Sequence, residues 1–480
     1  MNQDQTVTSK IGNEYRKWNK GESYLIEAGT GKGKSHFVKN TLYDYAKSKG
    51  EKILLLSNRK NLKNQNDIEL KGKEDVITTM NYQKLESCRK KEISQYHYVV
   101  CDECHYFTTD SQFNYLTDIS FDKIMESNDN IKLFMSATPM IIKYHMANLG
   151  VKPTVYKLET DYGYIEKLYF YKNDSLIEDV IIKQQMKENE KMIYFSTQDK
   201  LLYDLHKRNK NTLFNCSSKN KTFYENVDKD KINSILTNEK FDEQILFTTT
   251  CMDNGVNIKD TSIKYIVIDV NDIDSIIQCL GRKRVDGVED TVTVYIKNRS
   301  VKSMTKTIER REEMKRYADV LSWTEESEFV EEFGRDSYKY GAMIYDSINF
   351  GKIKKCINKL MYVKCEVDIM TYEGIKEMKC KEKYATHVSN KLGVDFAILD
   401  DEINAVSLSE YLEMLVDKRL DKDEQEALID RIGYRFDGRQ IKSNSKLSAE
   451  LLKNNIPYVI ISKRVKVSGK LNTVWIVEKI

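Results

Sequence analysis

Short apolar runs recur through the first 300 residues, each bounded by polar residues and separated from the next by helical spacing. YLIEA starts at residue 24, KILLLS covers 52–57, VITT 76–79, the apolar end of YHYVVC runs from 96 to 101, and IKLFMS starts at 131. Runs of this length predict buried strands, and their alternation with helical spacers predicts a parallel sheet. Ligands of such sheets lie at the carboxyl ends of the strands. Polar clusters stand at those ends: AGTGKGKS from 28 to 35, Asn58-Arg59-Lys60-Asn61-Leu62 with Gln65, Thr79 to Gln83, Asp102-Glu103, and Ser136-Ala137-Thr138.

The pattern restarts around residues 150–190. KMIYFST (191–197), TLFNC (212–216), QILFTTT (244–250), IKYIVID (263–269) and DTVTVYI (290–296) predict a second α/β domain without a phosphate loop of its own. It carries TTCMDNGVNI at 249–258 and Gln278-Cys279-Leu280-Gly281-Arg282-Lys283-Arg284. From about 300 the sequence turns helical and highly charged. Residues 395–430 hold 12 acidic and 3 basic residues and residues 435–479 hold 10 basic and 3 acidic, a reversal that marks a boundary. The last segment reads as a helix from Lys446 to Asn454, Pro457, and two alternating strands, YVIISKRV and NTVWIVE, joined by a turn with Ser468-Gly469. A helix followed by a basic hairpin suggests a winged helix; a small capping domain with a solvated basic face is the alternative. The expected domains are thus 1–150, 151–300, 301–432 and 433–480.

Composition changes this picture little. A chain of 480 residues has room for two to four cores. With 77 Lys plus Arg against 74 Asp plus Glu, the net charge of +3 announces no polyanion partner, so any basic surface is local. No apolar run approaches the roughly 18–20 residues of a membrane span, and MNQDQTVTSK lacks a signal peptide's apolar region. No membrane partner and a cytoplasmic location are therefore expected. The nine cysteines are scattered, and Cys101 and Cys104 have no second pair to complete a zinc site, so they read as reduced thiols. The 30 tyrosines and 16 phenylalanines read as core or rim residues, and none is assigned to base stacking.

The stretch with the sharpest chemistry is YLIEAGTGKGKSHF, residues 24–37. It fits a phosphate loop as Ala28-x4-Gly33-Lys34-Ser35, with Ala where the first Gly often stands. Gly29, Gly31 and Gly33 allow the backbone N–H groups between Gly29 and Ser35, those of Thr30 and Lys32 included, to turn inward around a polyanion. Lys34 is then expected to reach the β- and γ-phosphates, and Ser35 to ligate Mg²⁺. Asp102 at a strand end would hold that Mg²⁺ opposite Ser35, and Glu103 would orient or deprotonate an attacking water.

AGTGKGKS, DECH at 102–105, SAT at 136–138, TTTCMDNGVNI and QCLGRKR stand in the order of the superfamily 2 DNA and RNA helicases of the DEAD/DEAH-box type, which the chain resembles over about residues 12–300. The resemblance implies two tandem RecA-like domains, with a mainly helical C-terminal region, closing on ATP and Mg²⁺. It implies coupling roles for His105, Ser136 and Thr138, a γ-phosphate contact for Gln278, and an arginine finger at Arg282. The family's second finger falls at Val285 here, and Arg284 is the candidate replacement. Arg59, Thr79, Gln83 and Thr249 would line the nucleic-acid path by gripping phosphates and not base edges. No counterpart of the family's adenine-reading Gln motif precedes the phosphate loop, and motif Ia matches only loosely. The expected activity is an ATP-dependent helicase with DNA favoured over RNA as partner. The alternatives are a duplex translocase that separates no strands and a non-catalytic nucleic-acid-binding scaffold.

Overall fold

A computed structural model of the chain describes every residue except 1–5, 58–69, 88–91, 253–255, 350–351, 438 and 468–469. The first sheet contains β1 (Ser23–Glu27), β2 (Ile53–Ser57), β3 (Ile77–Asn81), β4 (Tyr98–Cys101), β5 (Ile131–Ser136) and β6 (Thr154–Lys157). They stand in the order β3-β2-β4-β5-β1-β6, and every pairing is parallel. The apolar runs are continuous because both faces are covered. Val7, Phe37, Leu55, Val100 and Leu133 belong to the core on one face, and Leu54, Leu56, Val99, Phe121 and Phe134 to the core on the other. Truncating one such fully buried leucine to alanine costs roughly 2–5 kcal/mol.

The order puts β5 between β4 and β1, so the Ser136 segment lies between the loop after β1 and the carboxylates after β4. Two backbone bonds fix those ends, Ala28 N–H to the Ser136 carbonyl at 3.1 Å and Cys104 N–H to the Met135 carbonyl at 2.9 Å.

The second sheet contains β7 (Ile165–Tyr171), β8 (Lys191–Ser196), β9 (Thr212–Asn215), β10 (Ile245–Thr249), β11 (Ile263–Asp269) and β12 (Val292–Lys297), in the order β7-β12-β11-β8-β10-β9. All five predicted strands are present within two residues of their expected ends. The strands of the first sheet, and strands β8–β12 of the second, pair in parallel within their sheets and are flanked by helices, which makes this a pair of RecA-like α/β layers. The region beyond 300 is mainly helical, with helices Val301–Trp323, Glu326–Phe333, Lys359–Glu377 and Lys383–Leu392. It also contains an antiparallel hairpin, Ile344–Asn349 with Lys352–Ile357, that the apolar pattern did not predict.

Residues 1–168 and 181–396 form one compact unit and residues 169–180 and 397–480 a second. In the second unit the predicted terminal helix is Asn444–Lys453 and the predicted strands are Tyr458–Val467 and Lys470–Lys479; their joining residues 468–469 lie outside the described residues. Two further helices, Leu399–Leu415 and Lys422–Ile432, pack with them around Leu412, Leu420, Leu428, Leu447, Leu451 and Val477. Leu420 exchanges backbone hydrogen bonds with Trp475 at 2.8 and 3.2 Å, which adds a third edge to the hairpin. Between the last two helices a short antiparallel pair, Arg435–Phe436 with Arg439–Gln440, also forms.

Candidate functional site

The loop after β1 turns on two glycines in the left-handed region, Gly31 at φ 83° and Gly33 at φ 85°, where a side chain would be strained. Gly29 meets a different limit, since a Cβ there would stand 2.5 Å from Thr160 Oγ1. Lys34 opens the helical run that follows and is buried, its Nζ donating to the carbonyls of Ala28 at 2.8 Å and Gly29 at 3.1 Å. The loop's own carbonyls therefore hold an ammonium at its centre. Ser35 is half-buried beside it.

Asp102 and Glu103 follow β4 and are both buried. Asp102 N–H donates to the Leu56 carbonyl at 3.0 Å, and the Tyr82 hydroxyl donates to the Asp102 carbonyl at 2.8 Å. Glu103 takes φ 51°, a left-handed conformation that costs a non-glycine residue about 1–3 kcal/mol and concentrates at functional sites. The strain turns the chain so that Glu103 Oε2 lies 3.3 Å from His105 Nδ1. Burial, and then the neighbouring charge of Glu103, push the Asp102 carboxyl up to about 6, against the pull of Lys34. Burial also opposes ionisation of Glu103, but Lys34, His105 and Arg282 outweigh it and hold that carboxyl well below the usual range.

The second sheet's motif comes to the same place. His105 Nδ1 lies 3.0 Å from Ser136 Oγ and 3.4 Å from Gln278 Nε2, and Gln278 Nε2 donates to Thr138 Oγ1 at 3.2 Å. Gln278 sits on helix Ile273–Leu280, whose end delivers Gly281 against the phosphate loop: a Cβ on Gly281 would lie 2.6 Å from Thr30 Oγ1. Arg282 is buried, with Nε on the Gln278 carbonyl at 3.0 Å and one terminal nitrogen on the Val256 carbonyl at 3.2 Å.

Residues 282–284 form a short extended stretch bridged to Ile258, with Ile258 N–H on the Arg282 carbonyl at 2.9 Å and Arg284 N–H on the Ile258 carbonyl at 2.8 Å. Extended backbone alternates its side chains. Lys283 accordingly turns to the opposite side, where it is buried in an ion pair with Asp290. Arg284 shares the side of Arg282, and one of its nitrogens lies 3.5 Å from where a Gly31 Cβ would be. Burial, then the charge of Arg282, lower the Arg284 guanidinium to about 10. Val285 is substantially exposed. Sequence reasoning missed Asn257, whose Oδ1 accepts from both Nε and a terminal nitrogen of Arg284 at 2.9 and 2.5 Å. The available signal was an amide one residue before the bridging Ile258 in a segment already singled out.

The residues expected on a nucleic-acid path are spread over more strand ends. Thr79 is half-buried on β3, Gln83 is exposed on the helix after it, and Thr249 is buried at the end of β10. Arg59 lies outside the described residues.

Among the described residues no three His, Cys, Asp or Glu side chains cluster as a metal cage. A nucleotide-borne Mg²⁺ asks for less, a hydroxyl and a carboxylate beside a phosphate cradle. Ser35, Asp102 and the loop centred on Lys34 offer that set, so the residues fit both the nucleotide and the cation. None of the described helices is long and apolar enough to cross a membrane.

Comparison with known proteins gives two kinds of likeness. Residues 67–141, which contain β3, β4, DECH and SAT, match the family described as type III restriction enzyme, res subunit. The solved structure of Dbp5 from S. cerevisiae bound to RNA and ADP BeF3 is 15% identical, covering 57% of this chain and 78% of that one, with a TM-score of 0.43. The DEAD-box helicase Mss116 bound to ssRNA and UDP-BeF is 17% identical, covering 64% of this chain and 71% of that one, with a TM-score of 0.45. No curated protein sequence matches the chain. The matched family segment contributes two of the motifs, DECH and SAT, and around His105 these meet Gln278 and Arg282 of the second sheet.

Proposed function

We propose that the chain is an ATP hydrolase whose turnover drives movement on, or unwinding of, nucleic acid. The observation that carries the reading is the meeting at His105 Nδ1 of Glu103, Ser136 and Gln278, which stand at the ends of β4 and β5 and on a helix of the second sheet. A hydrolytic carboxylate, a relay residue and a second-sheet motif share one point.

Lys34 takes the β- and γ-phosphates, exchanging its bonds to the Ala28 and Gly29 carbonyls for them, while the N–H groups from Gly29 to Ser35 surround the chain of phosphates. Ser35 and Asp102 hold Mg²⁺, which when bound neutralises phosphate charge. Glu103, kept ionised by Lys34, His105 and Arg282, orients the water and receives its proton. Gln278, Arg282 and Arg284 approach from the second sheet and stabilise charge on the transferring phosphoryl group, with Arg284 filling the second-finger role from a position set by Asn257. His105, Ser136 and Thr138 pass the state of that site to Thr79, Gln83 and Thr249 and, by its place in the sequence, Arg59, which grip phosphates. DNA is the favoured polynucleotide.

The test is Glu103→Gln. It should bind nucleotide with near wild-type affinity and hydrolyse it far more slowly, since only water activation is removed. Near wild-type turnover would refute Glu103 as the base.

A further inference from the structure

Helix Ile273–Leu280 carries Gln278 and leads into Arg282 at one end, and at the other it is held by residues that belong to no motif. Asp272 is its N-cap, yet the carboxylate accepts from none of the helix's backbone N–H groups. An aspartate in that position ordinarily does so. This one accepts instead from Ser275 Oγ at 3.0 Å and from Lys364 Nζ at 3.2 Å. Neighbouring residues are held from beyond position 300 as well: the Tyr372 hydroxyl donates to the Asn271 carbonyl at 2.8 Å, and Lys391 Nζ pairs with Asp274 at 3.1 Å.

Lys364 and Tyr372 stand on helix Lys359–Glu377, whose side chains divide between the two sheets. Leu360 belongs to the first-sheet core that holds Phe107, Phe121 and Phe134, and Val363 and Val367 pack with Ile141 of the helix after SAT. Positions 364, 368 and 372, spaced by four, form a separate polar stripe, which meets residues 271 and 272. Lys364 also pairs with Asp368 at 3.2 Å, and Asp368 pairs with Arg311 at 2.9 Å. Arg311 in turn donates to Gln112 Oε1 at 2.8 Å, on the turn that follows DECH. A continuous chain of ion pairs and hydrogen bonds therefore runs from the end of the DECH segment to the N-cap of the second-sheet helix.

Lys364 and Arg311 are both buried. Burial works against the Lys364 charge, but Asp272 and Asp368 outweigh it and hold the ammonium above the usual lysine range. Such a network is a weak means of stabilising a fold, because neutral replacements of buried ion pairs are often as stable or more so. Its directional bonds do fix where the end of a helix lies.

We propose that Lys364, with Asp368 and Arg311, is a positioning device that sets helix Ile273–Leu280 against the first sheet, so that Gln278 and Arg282 stand at the phosphate loop. The proposal rests on the proposed function and adds to it residues of two helices outside every motif. None of the three touches nucleotide; they act through Asp272 and the helix it opens. Misplacing a group that stabilises the transferring phosphoryl by about 1 Å costs up to roughly 100-fold in rate.

The experiment uses the full chain with Lys364→Met and Asp272→Asn combined, which removes one positive and one negative charge and leaves Arg311 paired with Asp368. Urea titration, affinity for a fluorescent ATP analogue, and kcat at saturating ATP are measured. The double variant should lower kcat roughly 10- to 100-fold, with urea midpoint and nucleotide affinity close to wild type. In an Arg282→Ala background the same pair should lower kcat by no more than about threefold, because the guanidinium being positioned is already gone. A merely structural role would not produce that dependence on Arg282. Tyr372→Phe, which removes one hydroxyl from the Asn271 carbonyl, carries the same comparison with a smaller loss should the double variant fail to fold. Wild-type kcat in the folded variants, or an equal fold-loss with and without Arg282, overturns the proposal. If the wild type hydrolyses ATP and Arg282→Ala slows it while these variants do not, this inference fails alone; if the wild type hydrolyses no ATP, the proposed function fails with it.

Discussion

The buried pair of Lys283 and Asp290 allows a test of how the R-K-R segment is oriented. Both side chains are almost wholly excluded from solvent, Lys283 Nζ also donates to the Arg284 carbonyl at 3.0 Å, and Asp290 also accepts the Asp286 N–H at 2.9 Å. Lys283→Met leaves a buried carboxylate without its counter-charge, which costs about 3–5 kcal/mol. Adding Asp290→Asn removes that charge and keeps an acceptor for Asp286. The double variant then lacks mainly the donor to the Arg284 carbonyl, a loss of about 1–3 kcal/mol. It should therefore be more stable than Lys283→Met alone. Turnover should follow stability, falling in the single variant as Arg282 and Arg284 lose their register and recovering in the double. Urea titration of the full chain by circular dichroism, with ATP turnover measured on the same samples, reads both effects. A double variant that folds like the wild type and stays inactive would mean that Lys283 acts on the nucleotide, and the alternation assigned to residues 282–284 would be wrong.

Arg284→Ala should lower turnover with little change in nucleotide affinity, and Asn257→Ala should reproduce part of that loss because Asn257 fixes the guanidinium; wild-type kinetics in Arg284→Ala would remove the second-finger role. Asp118 is buried, and burial followed by the charge of Asp122 raises its carboxyl to about 7. A raised acid favours the fold while protonated, so its contribution is complete below its unfolded value near 3.9 and is lost as pH rises through 7. Asp118→Asn should then stabilise the protein at pH 8 by up to roughly 4 kcal/mol and by less at pH 5; equal gains in urea titrations at the two pH values would refute the assignment. In the second compact unit, exposed Lys446 lies on helix Asn444–Lys453 and exposed Arg464 on the following strand. Replacing both with Ala should flatten the salt dependence of duplex binding by about 1.8, and an unchanged slope would leave that unit as a cap or protein-binding module.

The strands of both sheets were legible because parallel strands buried on both faces have continuous apolar runs, as in Ile53–Ser57, where all five side chains are buried. The hairpin at 344–357 was not, because its buried positions include Lys355, satisfied by Asp346 and the Arg335 carbonyl, and a lysine gives no sign of burial in a sequence. At the site, the types and order of Lys34, Asp102, Glu103, Gln278 and Arg282 were readable from motif chemistry. The left-handed backbone of Glu103 was not, since nothing in the sequence marks a strained glutamate. The sequence already offered Arg284 as the replacement for the finger position that falls at Val285; what it did not show is the pairing with Ile258 that sets Arg284 beside the loop.

The central claim is that the phosphate loop and the second-sheet arginines act together on ATP under the control of nucleic acid. It is tested most directly by measuring steady-state ATP turnover of the full chain with and without single-stranded DNA or RNA, alongside Lys34→Ala and Arg282→Ala. The account predicts turnover that rises on adding a strand, is abolished by Lys34→Ala, and falls in Arg282→Ala far more than nucleotide affinity does. Turnover that ignores nucleic acid, or that survives Lys34→Ala, would contradict it.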